Sequence, residues 1–190
     1  MKKVIGIVFM IFILIGGAIY FNLSRNEMDN RGKQATHTIN REELPKINFQ
    51  APSFSLSALD GKNYSLEDTK GKPVMINFWA SWCGPCKLEA PELSSLYKQY
   101  EGKFTLYAIN LTNTESSLND VKGFAENFGY SFPILLDEKG EIAEKYLIKP
   151  IPTTYFVNSD GIIVDQILGY GGKGALTTKL KALISGSDKP

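Results

Sequence analysis

The chain has 190 residues and a formal net charge of +1, with 21 Lys and Arg against 20 Asp and Glu. That balance, without a basic run or an aromatic-basic alternation, argues against a nucleic-acid protein, and the scattered charges read as a solvated face. Two cysteines and the isolated His37 are too few for a four-ligand structural zinc site, so no metal is expected.

The first element is apolar. Lys2 and Lys3 precede an uncharged run over residues 4–21, which as a helix spans roughly 27 Å, enough for the hydrocarbon core of a bilayer. A cleaved signal peptide has a shorter apolar stretch and then a small-x-small site, which Tyr20-Phe21-Asn22-Leu23-Ser24 does not offer. Residues 1–21 are therefore expected to remain as a transmembrane signal anchor. No cysteine lies near for lipid attachment. Lys2 and Lys3 favour a cytoplasmic N-terminus and an extracytoplasmic C-terminal domain, a bias weakened by Arg25, Arg31 and Lys33 on the other flank. Residues 22–46 are polar and read as a linker. Residues 47–186, with a tail at 187–190, have the size of one domain with a real core.

Within that domain, alternating residues 54–59 and 63–66 flank Asp60-Gly61 and predict a β-hairpin. Residues 74–79 follow as a buried strand that runs into the cysteines. Leu88, Leu93, Leu96, Tyr97 and Tyr100 then recur at helical spacing, with a kink expected at Pro91. Residues 104–111 read as a strand, 116–128 as a helix ending at Gly129, 133–136 as a short strand and 141–146 as a short helix. Residues 154–158 and 162–168 flank Ser159-Asp160-Gly161 as a second hairpin, and 173–184 close the chain as a helix. The order implies an α/β fold, a mixed central sheet with helices on both faces.

The cysteines carry the chemistry. Trp82-Cys83-Gly84-Pro85-Cys86 puts Cys-x-x-Cys where a strand meets a helix start, whose unpaired N–H groups and positive dipole end stabilise a thiolate at Cys83. Two intervening residues bring Cys86 within reach, so a mixed disulfide at Cys83 can be resolved. Covalent haem attachment wants His directly after the second cysteine, and residue 87 is Lys. A purely structural disulfide would close so short a loop that it would restrict the unfolded chain little.

Phe78-Trp-Ala-Ser-Trp-Cys-Gly-Pro-Cys-Lys, Ala90-Pro91 and Ile151-Pro152-Thr153 before a strand resemble a thioredoxin fold over nearly all of residues 47–186. The hairpin at Ala51-Pro-Ser-Phe, of the AhpC/TSA type, the helical insert near 116–128, the anchor and Cys86-Lys-Leu-Glu89 narrow the resemblance to the membrane-anchored TlpA/ResA-like thioredoxins. It implies an extracytoplasmic thiol-disulfide oxidoreductase that reduces protein disulfides, as in cytochrome c maturation or spore envelope assembly. The redox-active disulfide Cys83-Cys86 would be its only cofactor, a CcdA-like membrane thiol protein its electron donor, and a monomer its state. Gly84-Pro85 matches the dipeptide of strongly reducing thioredoxins, with potentials near about −270 mV.

The resemblance also assigns roles. From sequence alone Pro152 is either a loop proline or a site element; the family places a cis-proline there, facing the redox pair, with Ile151 and Thr153 beside the substrate. Trp82, next to Cys83, is a candidate substrate-facing residue, whereas Trp79 reads as core. Glu89 lies one turn after Cys86, and from spacing alone it is either an exposed first-turn glutamate or a proton acceptor for Cys86. The family favours the second. Asn77 stands where cytoplasmic thioredoxins carry an aspartate, and an amide cannot exchange a proton, which leaves that task to Glu89. A disulfide oxidase, a thiol peroxidase and a non-catalytic binding or chaperone module are the alternatives. The peroxidase needs Thr-x-x-Cys, and residue 80 is Ala.

Overall fold

Val74–Trp79 makes a strand buried along its whole length, and the rest of the fold is arranged around it. The computed structural model describes residues 42–69 and 71–187. The expected anchor at 1–21 and most of the linker lie outside the described residues, among which no helix is long and apolar enough to cross a membrane. In chain order the strands are β1 (Ser55–Ser57), β2 (Asn63–Ser65), β3 (Val74–Trp79), β4 (Thr105–Asn110), β5 (Ile134–Leu136), β6 (Thr153–Val157) and β7 (Ile163–Leu168). The helices are α1 (Gly84–Gln99), α2 (Leu118–Asn127), α3 (Glu141–Lys145) and α4 (Ala175–Ser187).

β1 and β2 form the predicted hairpin, pairing Leu56 with Tyr64. Gly61 takes a positive φ of 78° in its turn, a conformation that glycine adopts without steric cost. The main sheet runs β5-β4-β3-β6-β7, with β3, β4 and β5 parallel and β6 and β7 antiparallel. It is the mixed sheet expected. Strand side chains alternate between faces, so β3 sends Val74, Ile76 and Phe78 to one core with Phe54, Leu66 and Tyr146. Met75 and Trp79 go to the other, with Leu93 and Leu96 of α1, Val121 and Phe124 of α2, and Leu176, Leu180 and Leu183 of α4. Asn77 therefore faces α1.

Several boundaries differ from the expectations. α1 buries Cys86, Glu89, Ala90, Leu93 and Leu96, a stripe at spacings of three and four. Leu88 points away from that stripe and is exposed, contrary to its assignment to the apolar face. Pro91 lies inside the helix, which runs on to Gln99 as its apolar spacing predicts. α2 begins at Leu118, after a 3-10 turn at Thr112–Thr114. α4 starts at Ala175 because Gly172 and Gly174 hold φ of 86° and 85°, outside the helical range. The fold also takes in the end of the segment read as linker: Leu44 donates its N–H to the Gln50 carbonyl, and Glu43 accepts the N–H and hydroxyl of Ser53 and meets Lys145.

Candidate active site

The site stands where β3 ends. Cys83 caps α1 and Pro85 occupies the first turn, where its missing N–H forfeits no helical bond. Cys83 and Cys86 form a disulfide with S–S 2.09 Å, and the Cys86 N–H donates to Cys83 Sγ at 3.1 Å. On reduction the same N–H points at the Cys83 sulfur, which with the helix dipole favours the thiolate. Both cysteines are buried, while Gly84 and Pro85 between them are exposed.

The Ile151-Pro152 peptide bond is cis, as the resemblance implies. The Ile151 carbonyl oxygen lies 3.6 Å from Cys83 Sγ, a contact in the disulfide and an acceptor for the S–H of the thiol. The Ile151 N–H has no hydrogen-bond partner among the described residues, whereas the Pro152 carbonyl accepts from Gly169 N–H at 2.7 Å. Ile151 thus carries the free backbone group beside the sulfur. Thr153 is buried and its hydroxyl turns back to the Pro150 carbonyl at 2.9 Å, so its side chain braces the loop and offers no free polar group outward. Trp82 is 57% exposed, and its indole N–H donates to the Thr114 carbonyl at 3.1 Å. Trp79, by contrast, packs on Phe124 at 4.5 Å between ring centroids.

Glu89 is 2% exposed, on the buried stripe that also carries Cys86. Burial pushes its carboxyl up to about 7; the Asn77 hydrogen bond pulls the other way, and the negative charge of Glu92 adds to the rise. Asn77 Nδ2 donates to Glu89 Oε1 at 2.7 Å and to Thr154 Oγ1 at 2.9 Å. Glu92 accepts from the Gly174 and Thr177 N–H groups, both at 3.0 Å, and caps α4. Burial and the Glu89 charge push the Tyr130 phenol up. A carboxyl titrating near neutrality on the helix of the resolving cysteine can hold a proton for it or take one away.

Two residues that brace the site carry no local signal in the sequence. Glu115 accepts the Ser81 N–H at 2.7 Å, the Ser81 hydroxyl and Asn110 Nδ2 at 2.7 Å, tying the loop before Cys83 to the end of β4. Thr154 is the second acceptor of Asn77. Neither belongs to a local motif. The signal for both is strand register, since Trp79 pairs with Asn110 and Asn77 with Thr154.

Comparison with known proteins gives the same reading of the thiol pair. The AhpC/TSA family model matches residues 47–166. The thiol-disulfide oxidoreductase ResA of Bacillus cereus is 32% identical over 175 residues, covering 92% of this chain and 93% of ResA. The thioredoxin-like protein YneN of Bacillus subtilis is 44% identical over 131 residues, covering 69% and 76%. Among solved structures, StoA from Bacillus subtilis superposes with a TM-score of 0.60 at 32% identity, over 70% of this chain and 96% of StoA. The chain belongs to the AhpC/TSA family of the thioredoxin superfamily and is a thiol-disulfide oxidoreductase built on Cys83 and Cys86.

Proposed function

We propose that this oxidoreductase is tethered to the membrane, works outside the cytoplasm and reduces protein disulfides. The observation that supports a protein disulfide as substrate is the Ile151 backbone: an N–H with no partner among the described residues, and a carbonyl 3.6 Å from Cys83 Sγ, at the edge of an otherwise buried disulfide. An extended peptide that pairs with Ile151 brings its own disulfide over Cys83, with the exposed face of Trp82 as a second contact.

The Cys83 thiolate attacks one substrate sulfur, forming the mixed disulfide and releasing the other as a thiolate. Cys86, deprotonated with Glu89 as acceptor, attacks the Cys83 sulfur. The Cys83-Cys86 disulfide forms, the second substrate sulfur leaves, and the two substrate thiolates take up protons. A membrane dithiol protein of the CcdA-like kind returns two electrons to the pair by the same exchange in reverse. Gly84-Pro85 supports the reducing direction, and the apolar run at 4–21 with its polar linker supports the tether. Cytochrome c maturation and spore envelope assembly are the processes the resemblance brings. The domain is read as a monomer; on edge strand β7 the Gln166 N–H is already taken by Asp165 Oδ1 at 2.8 Å, and the charged Asp165 on that edge disfavours pairing with another chain.

Equilibration of the pair against a dithiol redox buffer tests the direction. A reductant has a potential near about −270 mV or below, and a value near about −120 mV would make the protein an oxidase.

A further inference from the structure

Asn77 is fully buried, and both N–H bonds of Nδ2 point to one side, to Glu89 Oε1 at 2.7 Å and Thr154 Oγ1 at 2.9 Å. Its carbonyl oxygen faces the other way and has no hydrogen-bond partner. With the amide this way round one acceptor is left unmet. Turned over, it would leave two N–H groups unmet and set its oxygen against Glu89, which an ionised carboxylate repels. Thr154 supplies the second acceptor that this orientation needs, beside Glu89 Oε1. It stands directly opposite Asn77 in the β3-β6 register, one residue beyond Thr153 and two beyond Pro152, so it links the substrate-side strand to the acid on α1.

We propose that Thr154 is a positioning residue for the proton step: by accepting one Asn77 N–H it keeps the amide's N–H end on Glu89, so that Oε1 stays an acceptor and the carboxyl carries its proton on Oε2. The titratable groups that act on Glu89 or share its helix are Glu92 and Cys86 on α1, with Cys83 at the cap, and Tyr130 from the segment before β5. Without the threonine oxygen, the favoured orientation leaves one acceptor and one donor unmet. The turned amide, which leaves two donors unmet, is then no worse. Only a protonated Glu89 tolerates that second arrangement, so the protonated form gains.

The inference rests on the reading of Glu89 as proton partner of Cys86, and its test separates the two. The Glu89 carboxyl carbon is followed by NMR against pH in wild type, Thr154→Val, Thr154→Ser, Asn77→Ala and Asn77→Ala with Thr154→Val. The near-isosteric valine is expected to raise the Glu89 midpoint by about half a pH unit or more, serine to restore it, and valine to add nothing once Asn77 is alanine. An unchanged midpoint in Thr154→Val, a serine variant that behaves as valine, or a valine shift that persists without Asn77 would each overturn the proposal. The titration reports the proton on Glu89 whether or not Cys86 uses it. Unchanged Cys86 reactivity in Glu89→Gln would remove the proton-partner reading alone.

Discussion

Glu89 is an acid in a place that suits its neutral form. Burial raises its midpoint from the usual value of 4.5 to about 7 against the pull of the Asn77 hydrogen bond, so folding favours the protonated carboxyl. Between those two values the native state binds more protons than the unfolded chain, and stability falls as pH rises through the window. Glu89→Gln removes this linkage. Urea unfolding of the two proteins is expected to give matching pH dependence below about pH 4.5, with the variant more stable above about pH 7, by a few kcal/mol at most. Equal stability at pH 8 would show that the carboxylate is better accommodated than its burial implies. The same substitution is expected to slow thiol-disulfide exchange by about a hundredfold, the scale of one general acid-base group.

At the scale of elements, the redox helix is held from several sides. Glu115 ties the loop before Cys83 to β4, Trp82 is pinned to Thr114, and Glu92 fastens the middle of α1 to the first turn of α4. The Glu92 contact is a helix cap supplied from another helix, which satisfies N–H groups that α4 cannot satisfy itself. Glu92→Ala is expected to cost about 1–2 kcal/mol of stability, the scale of a lost N-cap. It should also lower the Glu89 midpoint, because a like charge goes with it. Denaturation midpoints and the carboxyl titration check the two halves separately, and a loss of stability without a shift at Glu89 would make Glu92 a cap alone.

Across the whole molecule, the strands and helices were legible where periodicity is strong. The six apolar-rich residues 74–79, the Asp60-Gly61 turn and the Cys-x-x-Cys at a strand-to-helix junction all lie where local pattern predicts. Leu88 is apolar yet exposed, because its angle around the helix sets it off the buried stripe. The start of α4 differs from the spacing-based expectation because the positive φ of Gly172 and Gly174 outweighs helical spacing. The redox pair and the cis bond at Pro152 were reached through motif and resemblance. The burial of Glu89, the capping role of Glu92 and the contacts of Glu115 and Thr154 depend on which strands meet in which register, and local sequence does not carry that.

In the mechanism proposed for the pair, Cys83 is the attacking sulfur and Cys86 the resolver. Cys86→Ala, reduced and mixed with a disulfide-bonded peptide, tests it most directly by intact mass and peptide mapping. A stable adduct of one protein with one peptide, attached at Cys83, is expected, whereas the Cys83→Ala variant gives none. An adduct on Cys86 in the Cys83→Ala variant, with no trapped species on Cys83, would contradict it.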